Sequence, residues 1–166
     1  MMRRLLCILL LVVAGAASAA DNLRPFVPGS MAQIQEEYAG KPFVMFLWSL
    51  TCTYCPTELE MLGKFKWQHP ELNLVLIATD TPEDRPEIVS HLAGYGLSEI
   101  ESNWVFAEDM PERLRFEIDR RWYGEVPRTY FYDQAHERLV KTGLVGEAFV
   151  KKWLTLVSMN TPSTGK

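Results

Sequence analysis

The apolar residues of this chain fall into two kinds of pattern, and each predicts its own kind of element. Residues 43–48, FVMFLW, are apolar at every position, and residues 72–79, LNLVLIAT, nearly so. Runs of that length with no polar face read as strands buried on both sides of a sheet. Between them, residues 52–68 carry Leu59, Leu62, Phe65 and Lys66 three or four apart, a helical spacing. Pro56 fits this helix only because it lies near the first turn, where amides lack intrahelical partners. Upstream, Ser30 is placed to cap a helix over 30–38, with Gly40 ending it and Pro42 barring its continuation.

The second half repeats the alternation. A polar loop at 80–86 leads into a helix over 86–94 that Gly94 and Gly96 stop. Residues 104–107 form a short strand, and 112–122 an amphipathic helix with Leu114, Ile118 and Trp122 at four-residue intervals. Gly124-Glu125-Val126-Pro127 breaks that pattern. Strands at 129–132 and 139–142 flank a polar turn and predict a hairpin. A helix over 147–157 closes the chain, and the Thr-Pro-Ser-Thr-Gly tail is expected to fray. Strands alternating with helices, then a hairpin and a last helix, predict an α/β sheet covered on both faces in one domain without an internal linker.

Composition agrees: 166 residues, 48% hydrophobic and 23% charged, are those of one globular domain, which excludes a disordered chain. Ten Gly and ten Pro follow no period, so collagen-like and solenoid readings find no support. A formal charge of −4 and a pI near 5.4 provide no basic field for phosphate backbones, so no nucleic-acid partner is expected. Function must come from a local site.

The first residues read as an address. Arg3 and Arg4 precede an apolar run from Leu5 to Val13, and Ala17-Ser18-Ala19 gives the small-x-small pattern of a signal-peptidase site. The reading is a cleaved signal at 1–19 and a mature domain at 20–166, exported to the periplasm. The alternative is an uncleaved membrane anchor, but the apolar stretch is shorter than the roughly 20 residues a spanning helix needs. No stable membrane insertion is expected after cleavage. Cys7 lies inside the apolar stretch, away from the place of a lipidated cysteine. Cleavage removes two arginines, leaves a more acidic protein, and keeps just two cysteines, Cys52 and Cys55, in a compartment where disulfides persist.

The chemistry therefore centres on Trp48-Ser-Leu-Thr-Cys52-Thr-Tyr-Cys55-Pro-Thr-Glu58, which follows a buried strand and opens a helix. Two sulfurs separated by two residues on the first helical turn can close a small disulfide ring. The unpaired amides and partial positive charge of a helix N-terminus favour a thiolate at Cys52. Free cysteine titrates near ~8.5, whereas cysteines in such motifs fall to about 3.5–7.5. Cys55, one turn in, suits the resolving role. A purely structural disulfide would close a very short loop, where stabilisation is weakest. A structural zinc site mostly needs four ligands, and His69, His91 and His136 form no second paired motif, so neither metal nor cofactor is expected. Copper held by two thiolates would lack a nearby His or Met partner.

Taken together, GKPFVMFLW followed by SLTCTYC, the strand LVLIAT, the helix and strand between about 84 and 107, EVPRTYFYD, and KTGLVG before the last helix resemble the thioredoxin-like superfamily, TlpA/ResA type. The match covers about residues 31–158. It implies a thioredoxin-like fold, a central mixed sheet with helices on both faces and a helix-plus-strand insertion. It makes Cys52 the attacking thiolate, Cys55 the resolving thiol and Pro127 a cis-proline facing the disulfide, with Val126 offering backbone to an extended substrate. Trp48, Thr53 and Tyr54 join the substrate-facing set, the last two tuning the redox potential. The implied activity is that of a thiol:disulfide oxidoreductase, more a reductase than an oxidant. Its partners would be exported proteins with disulfides, such as apocytochrome c, and a membrane thiol donor.

The chain departs from the family in carrying Thr51 where Trp commonly precedes the first cysteine. It has Phe46 where thioredoxin has a buried acid. Asp80 and Glu83, after the next strand, are the candidates for proton transfer, against a reading as solvated loop charges. The string Cys55-Pro56-Thr57-Glu58 is also similar to that of peroxiredoxins, a second enzyme class. Yet Cys52 and Trp48 stand where peroxiredoxins carry Thr and Pro. A metal-carrying or partner-binding module without turnover is the non-enzymatic alternative. The five tryptophans, Trp48, Trp67, Trp104, Trp122 and Trp153, read as core or semi-buried, Arg128 as a surface ion pair, and Glu36-Glu37 and Arg120-Arg121 as solvated helix faces.

Overall fold

A computed structural model describes residues 22–159; the expected signal at 1–19, with Cys7 and the expected cleavage site, and the tail from 160 lie outside the described residues. The elements run β1 (Leu23–Phe26), α1 (Ser30–Glu37), β2 (Phe43–Trp48), α2 (Cys55–Gln68), β3 (Leu74–Ala78), a 3-10 turn (Pro82–Asp84), α3 (Arg85–Gly94), β4 (Ser102–Phe106), α4 (Pro111–Ile118), β5 (Arg128–Tyr132), β6 (Arg138–Thr142) and α5 (Glu147–Met159). One six-stranded sheet has the order β1-β4-β3-β2-β5-β6. Its first four strands are parallel, and β5 and β6 run antiparallel to their neighbours. The unit α3–β4 threads β4 between β3 and the margin strand β1, the helix-plus-strand insertion expected above.

Strand pleating explains the all-apolar runs, because successive side chains point to opposite faces and both are covered. Val44, Phe46 and Trp48 of β2 pack with Leu59, Leu62 and Phe65 of α2, Ile88 and Leu92 of α3, and Val150 and Trp153 of α5. Phe43, Met45 and Leu47 join Met31 and Ile34 of α1 and Leu114 and Ile118 of α4. Gly63 marks the tightest approach on the first face, since a methyl group there would overlap the Tyr95 carbonyl oxygen. That contact fixes α2 against the turn after α3.

Several elements differ from the sequence pattern. The strand β1 was not anticipated; Phe26 is fully buried and stacks with Phe106 at 5.6 Å. Ser30 is the first helical residue rather than the cap: Gly29 holds that place at φ +95°, and Ser30 Oγ accepts from the Val27 amide. The α1 amides are instead capped from another element, with Glu117 accepting from Gly29 N and Met31 N at 2.9 Å each. The helix predicted over 112–122 ends at Ile118, because Asp119 turns extended to reach Arg128 and Arg138. Arg120 and Arg121 are exposed but lie beyond the helix.

Arg128 is a nearly buried ion pair rather than a surface one, its side chain 12% exposed and Asp119 Oδ2 at 3.0 Å. Trp67, expected inside, is 85% exposed, because it falls off the face of α2 that Leu59, Leu62 and Phe65 bury. The hairpin β5–β6 closes as expected, with Asp133 Oδ1 accepting from the Ala135 and Glu137 amides.

Candidate active site

The parallel strands β2 and β3 end side by side, and the chain leaving β2 becomes the cysteine turn. Thr79 N and Oγ1 both donate to the Trp48 carbonyl, at 2.8 and 3.2 Å, which ties the two strand ends together. Helix α2 begins at Cys55, so Cys52 lies in the turn before it rather than within the first helical turn, as the sequence pattern suggested. Cys52 and Cys55 form a disulfide with Cα atoms 5.4 Å apart.

Among the described residues no side chain caps α2; the Cys55 amide points at Cys52 Sγ, 3.1 Å away, so sulfur takes the place a capping oxygen would hold. An anion on that sulfur would meet an amide hydrogen and the positive end of the helix. Cys52 is partly exposed, whereas Cys55 is fully buried. Thr53 and Tyr54 are both exposed, Tyr54 at 63%.

The Val126-Pro127 peptide bond is cis, and Pro127 is buried with Val126 half-buried. The pairing of Arg128 with Leu47 places it level with the start of the cysteine turn. Val126 packs against the same apolar cluster as Cys52 and Cys55. The Pro127 carbonyl accepts from Gly143 N. Trp48 is 1% exposed and stacks toward His91, so it backs the site from within the core.

The candidate acids separate. Asp80 is half-buried and accepts from Leu50 N and Ser49 Oγ in the turn before Cys52. Burial pushes its carboxyl up, against the pull of those two hydrogen bonds. Glu83 is exposed on the 3-10 turn and is not brought into this group.

The acid that sequence reading passed over is Glu58. It lies one helical turn beyond Cys55 and is 2% exposed. Its Oε2 accepts from Val145 N, while Oε1 has no hydrogen-bond partner among the described residues. Burial raises its pKa, only partly offset by the Val145 and Gly146 amides. Phe46, by contrast, is wholly apolar core, so the buried carboxyl beside the cysteine helix comes from α2 and not from β2. The signal was present: Glu58 follows Cys55 by three and adjoins Leu59 on the buried face.

A raised pKa makes ionised Glu58 a liability to the fold. The penalty is absent below the unfolded carboxylate value, where both states are protonated, and grows as pH rises through the folded value. Glu58→Gln keeps the acceptor for Val145 and should therefore lose less stability than the parent between acid and neutral pH. Thermal melting of both across that range checks it; parallel curves would contradict the buried ionisation.

No family model and no curated protein matches the chain. Solved structures do. A secreted disulfide oxidoreductase of Mycobacterium tuberculosis, homologous to E. coli DsbE, is 18% identical with a TM-score of 0.57, over 73% of this chain and 85% of its own. A thiol:disulfide interchange protein of the thioredoxin family from Chlorobium tepidum is 16% identical at TM-score 0.56, over 74% and 83%. A thio-disulfide isomerase from Thermus thermophilus is 21% identical at 0.54, over 70% and 79%. At these identities the likeness establishes a thioredoxin-like fold.

Proposed function

We propose that the chain is an exported thiol:disulfide oxidoreductase that reduces protein disulfides. The observation that carries this reading is the partly exposed Cys52, whose sulfur faces the Cys55 amide at the start of α2, with a cis-proline beside the same turn. In the reduced form, the Cys52 thiolate attacks one sulfur of a client disulfide. That S–S bond breaks, the leaving client thiolate takes up a proton, and Cys52 is joined to the client. Cys55 gives up its proton and attacks Cys52 Sγ; the second client thiolate leaves, and the protein keeps the Cys52–Cys55 disulfide.

Two electrons have then passed to the client. Glu58, buried one turn from Cys55, supplies a carboxylate for the proton Cys55 must lose. A membrane thiol donor returns the electrons, and exported proteins such as apocytochrome c are clients of the right chemistry. The signal sequence supports a periplasmic site of action. Among the described residues no helix is long and apolar enough to cross a membrane. The peroxide-reducing alternative has less support, because it needs Cys55, the fully buried sulfur, to meet the oxidant first.

The test is an electron count. Reduced protein mixed with insulin should reduce insulin disulfides and end with Cys52 joined to Cys55, one disulfide per disulfide lost. No exchange with any dithiol or disulfide overturns the proposal. Faster oxidation of client dithiols by the oxidised form reverses its direction.

A further inference from the structure

Three residues, Ser49, Leu50 and Thr51, carry the chain from the end of β2 to Cys52, and their hydrogen bonds converge on one side chain. Asp80, two residues past the end of β3, accepts from Leu50 N with both carboxylate oxygens, at 3.2 and 3.1 Å, and from Ser49 Oγ at 3.0 Å. Ser49 Oγ is in turn 3.2 Å from Thr51 N and 3.0 Å from Thr51 Oγ1. The Ser49 carbonyl accepts from Cys52 N at 3.1 Å.

A serine hydroxyl has one hydrogen. Because an ionised carboxylate can only accept, that hydrogen is spent on Asp80, and the Ser49 oxygen is left to accept from both the amide and the hydroxyl of Thr51. Asp80 thus sets the direction of the two hydroxyl hydrogen bonds in the turn, those of Ser49 and Thr51. We infer that Asp80 is a positioning residue, which acts by ordering the Ser49–Leu50–Thr51 turn so that the Cys52 sulfur is held against the Cys55 amide. It does so by accepting hydrogen bonds, not by carrying a proton to either sulfur.

This rests on the reading of Cys52 as the attacking sulfur, and the experiment keeps the two apart. The full chain is reduced and treated with iodoacetamide, and the rates at Cys52 and Cys55 are read separately by mass spectrometry. Asp80→Asn and Asp80→Ala both remove the charge, so the ratio between them reports the accepted hydrogen bonds alone. Asn retains a carbonyl oxygen for Leu50 and Ser49; Ala retains nothing.

Cys52 in Asp80→Ala should react about tenfold more slowly at neutral pH than in Asp80→Asn, with its pH midpoint displaced upward, the scale of one to two hydrogen bonds. Equal rates in the two variants overturn the inference, as does an Asn variant that is as slow as Ala relative to the parent. If Asp80→Ala does not fold, Ser49→Ala serves: it removes the relay oxygen and should slow Cys52 severalfold, and an unchanged rate overturns the inference. Parent protein whose Cys55 reacts faster than Cys52 would sink the nucleophile assignment instead, whatever the ratio between variants.

Discussion

With Cys55 replaced by serine, the chain is expected to remain covalently joined to its clients through Cys52, and with Cys52 replaced by serine it is expected to capture nothing and to lose disulfide exchange altogether. The asymmetry follows from placement. Cys52 sits in the turn before α2, partly exposed, with the Cys55 amide 3.1 Å from its sulfur. Cys55 is the first residue of the helix and is fully buried. On the proposed reading an incoming disulfide would meet Cys52 first, and among the described residues Cys55 is the sulfur placed to release it. A serine hydroxyl at 55 is far too weakly acidic to do so, so the mixed disulfide persists. Non-reducing electrophoresis followed by mass spectrometry reads the result, and equal capture by both variants would contradict the division of roles.

Asp119→Ala is expected to be strongly destabilising. Asp119 is 6% exposed and meets Arg128 at 3.0 Å and Arg138 at 3.2 Å. Its Oδ1 also accepts from Arg121 N, and Tyr130 Oη lies 3.3 Å from Oδ2. Removing one partner of a buried pair costs about 3–5 kcal/mol, because the other charge is stranded. Here Arg128, 12% exposed, is the stranded group. Domains of this kind have only about 5–15 kcal/mol in all, and for a chain of this size the loss corresponds to a melting temperature lower by roughly 10–20 °C.

The pH dependence has the opposite sign to that of Glu58. Burial alone would raise the Asp119 pKa, but the Arg121 amide, Arg128 and Arg138 more than offset it and hold it below the usual value. Its stabilisation is therefore complete above the unfolded carboxylate value and fades as pH falls through the folded one. The melting curves of parent and variant should converge in acid and separate toward neutrality. A constant gap would assign the damage to lost packing.

How much of this was legible beforehand depended on whether local pattern or distant contact decided the matter. FVMFLW declared a central strand because both of its faces are buried, and that fact is written into every position. Cys52 and Cys55, set between strand and helix, were legible as a pair from their spacing, and the fold joins them in a disulfide. By contrast, LRPF offers four residues, one a proline and one charged, and becomes a strand only through pairing with residues some eighty positions on. The end of α4 was hidden for the same reason: Leu114, Ile118 and Trp122 keep helical spacing, and all three are buried, but an ion pair to β5 and β6 draws the backbone out of the helix at 119. Glu58 escaped because a carboxylate on a helix is ordinarily solvated, and its desolvation is imposed by the loop before α5. Asp80 was found as an acid near the site, while its bonds to Leu50 and Ser49 became visible only once β2 and β3 were side by side.

The two outermost strands bear on how copies of this chain meet one another. Pro25, in the middle of β1, has no amide hydrogen to donate, and β6 sets the cations Arg138 and Lys141 along its exposed length. A neighbouring molecule seeking to extend the ladder finds a missing donor at one end and charge repulsion at the other. Self-templated aggregation through either margin of the sheet is thereby discouraged.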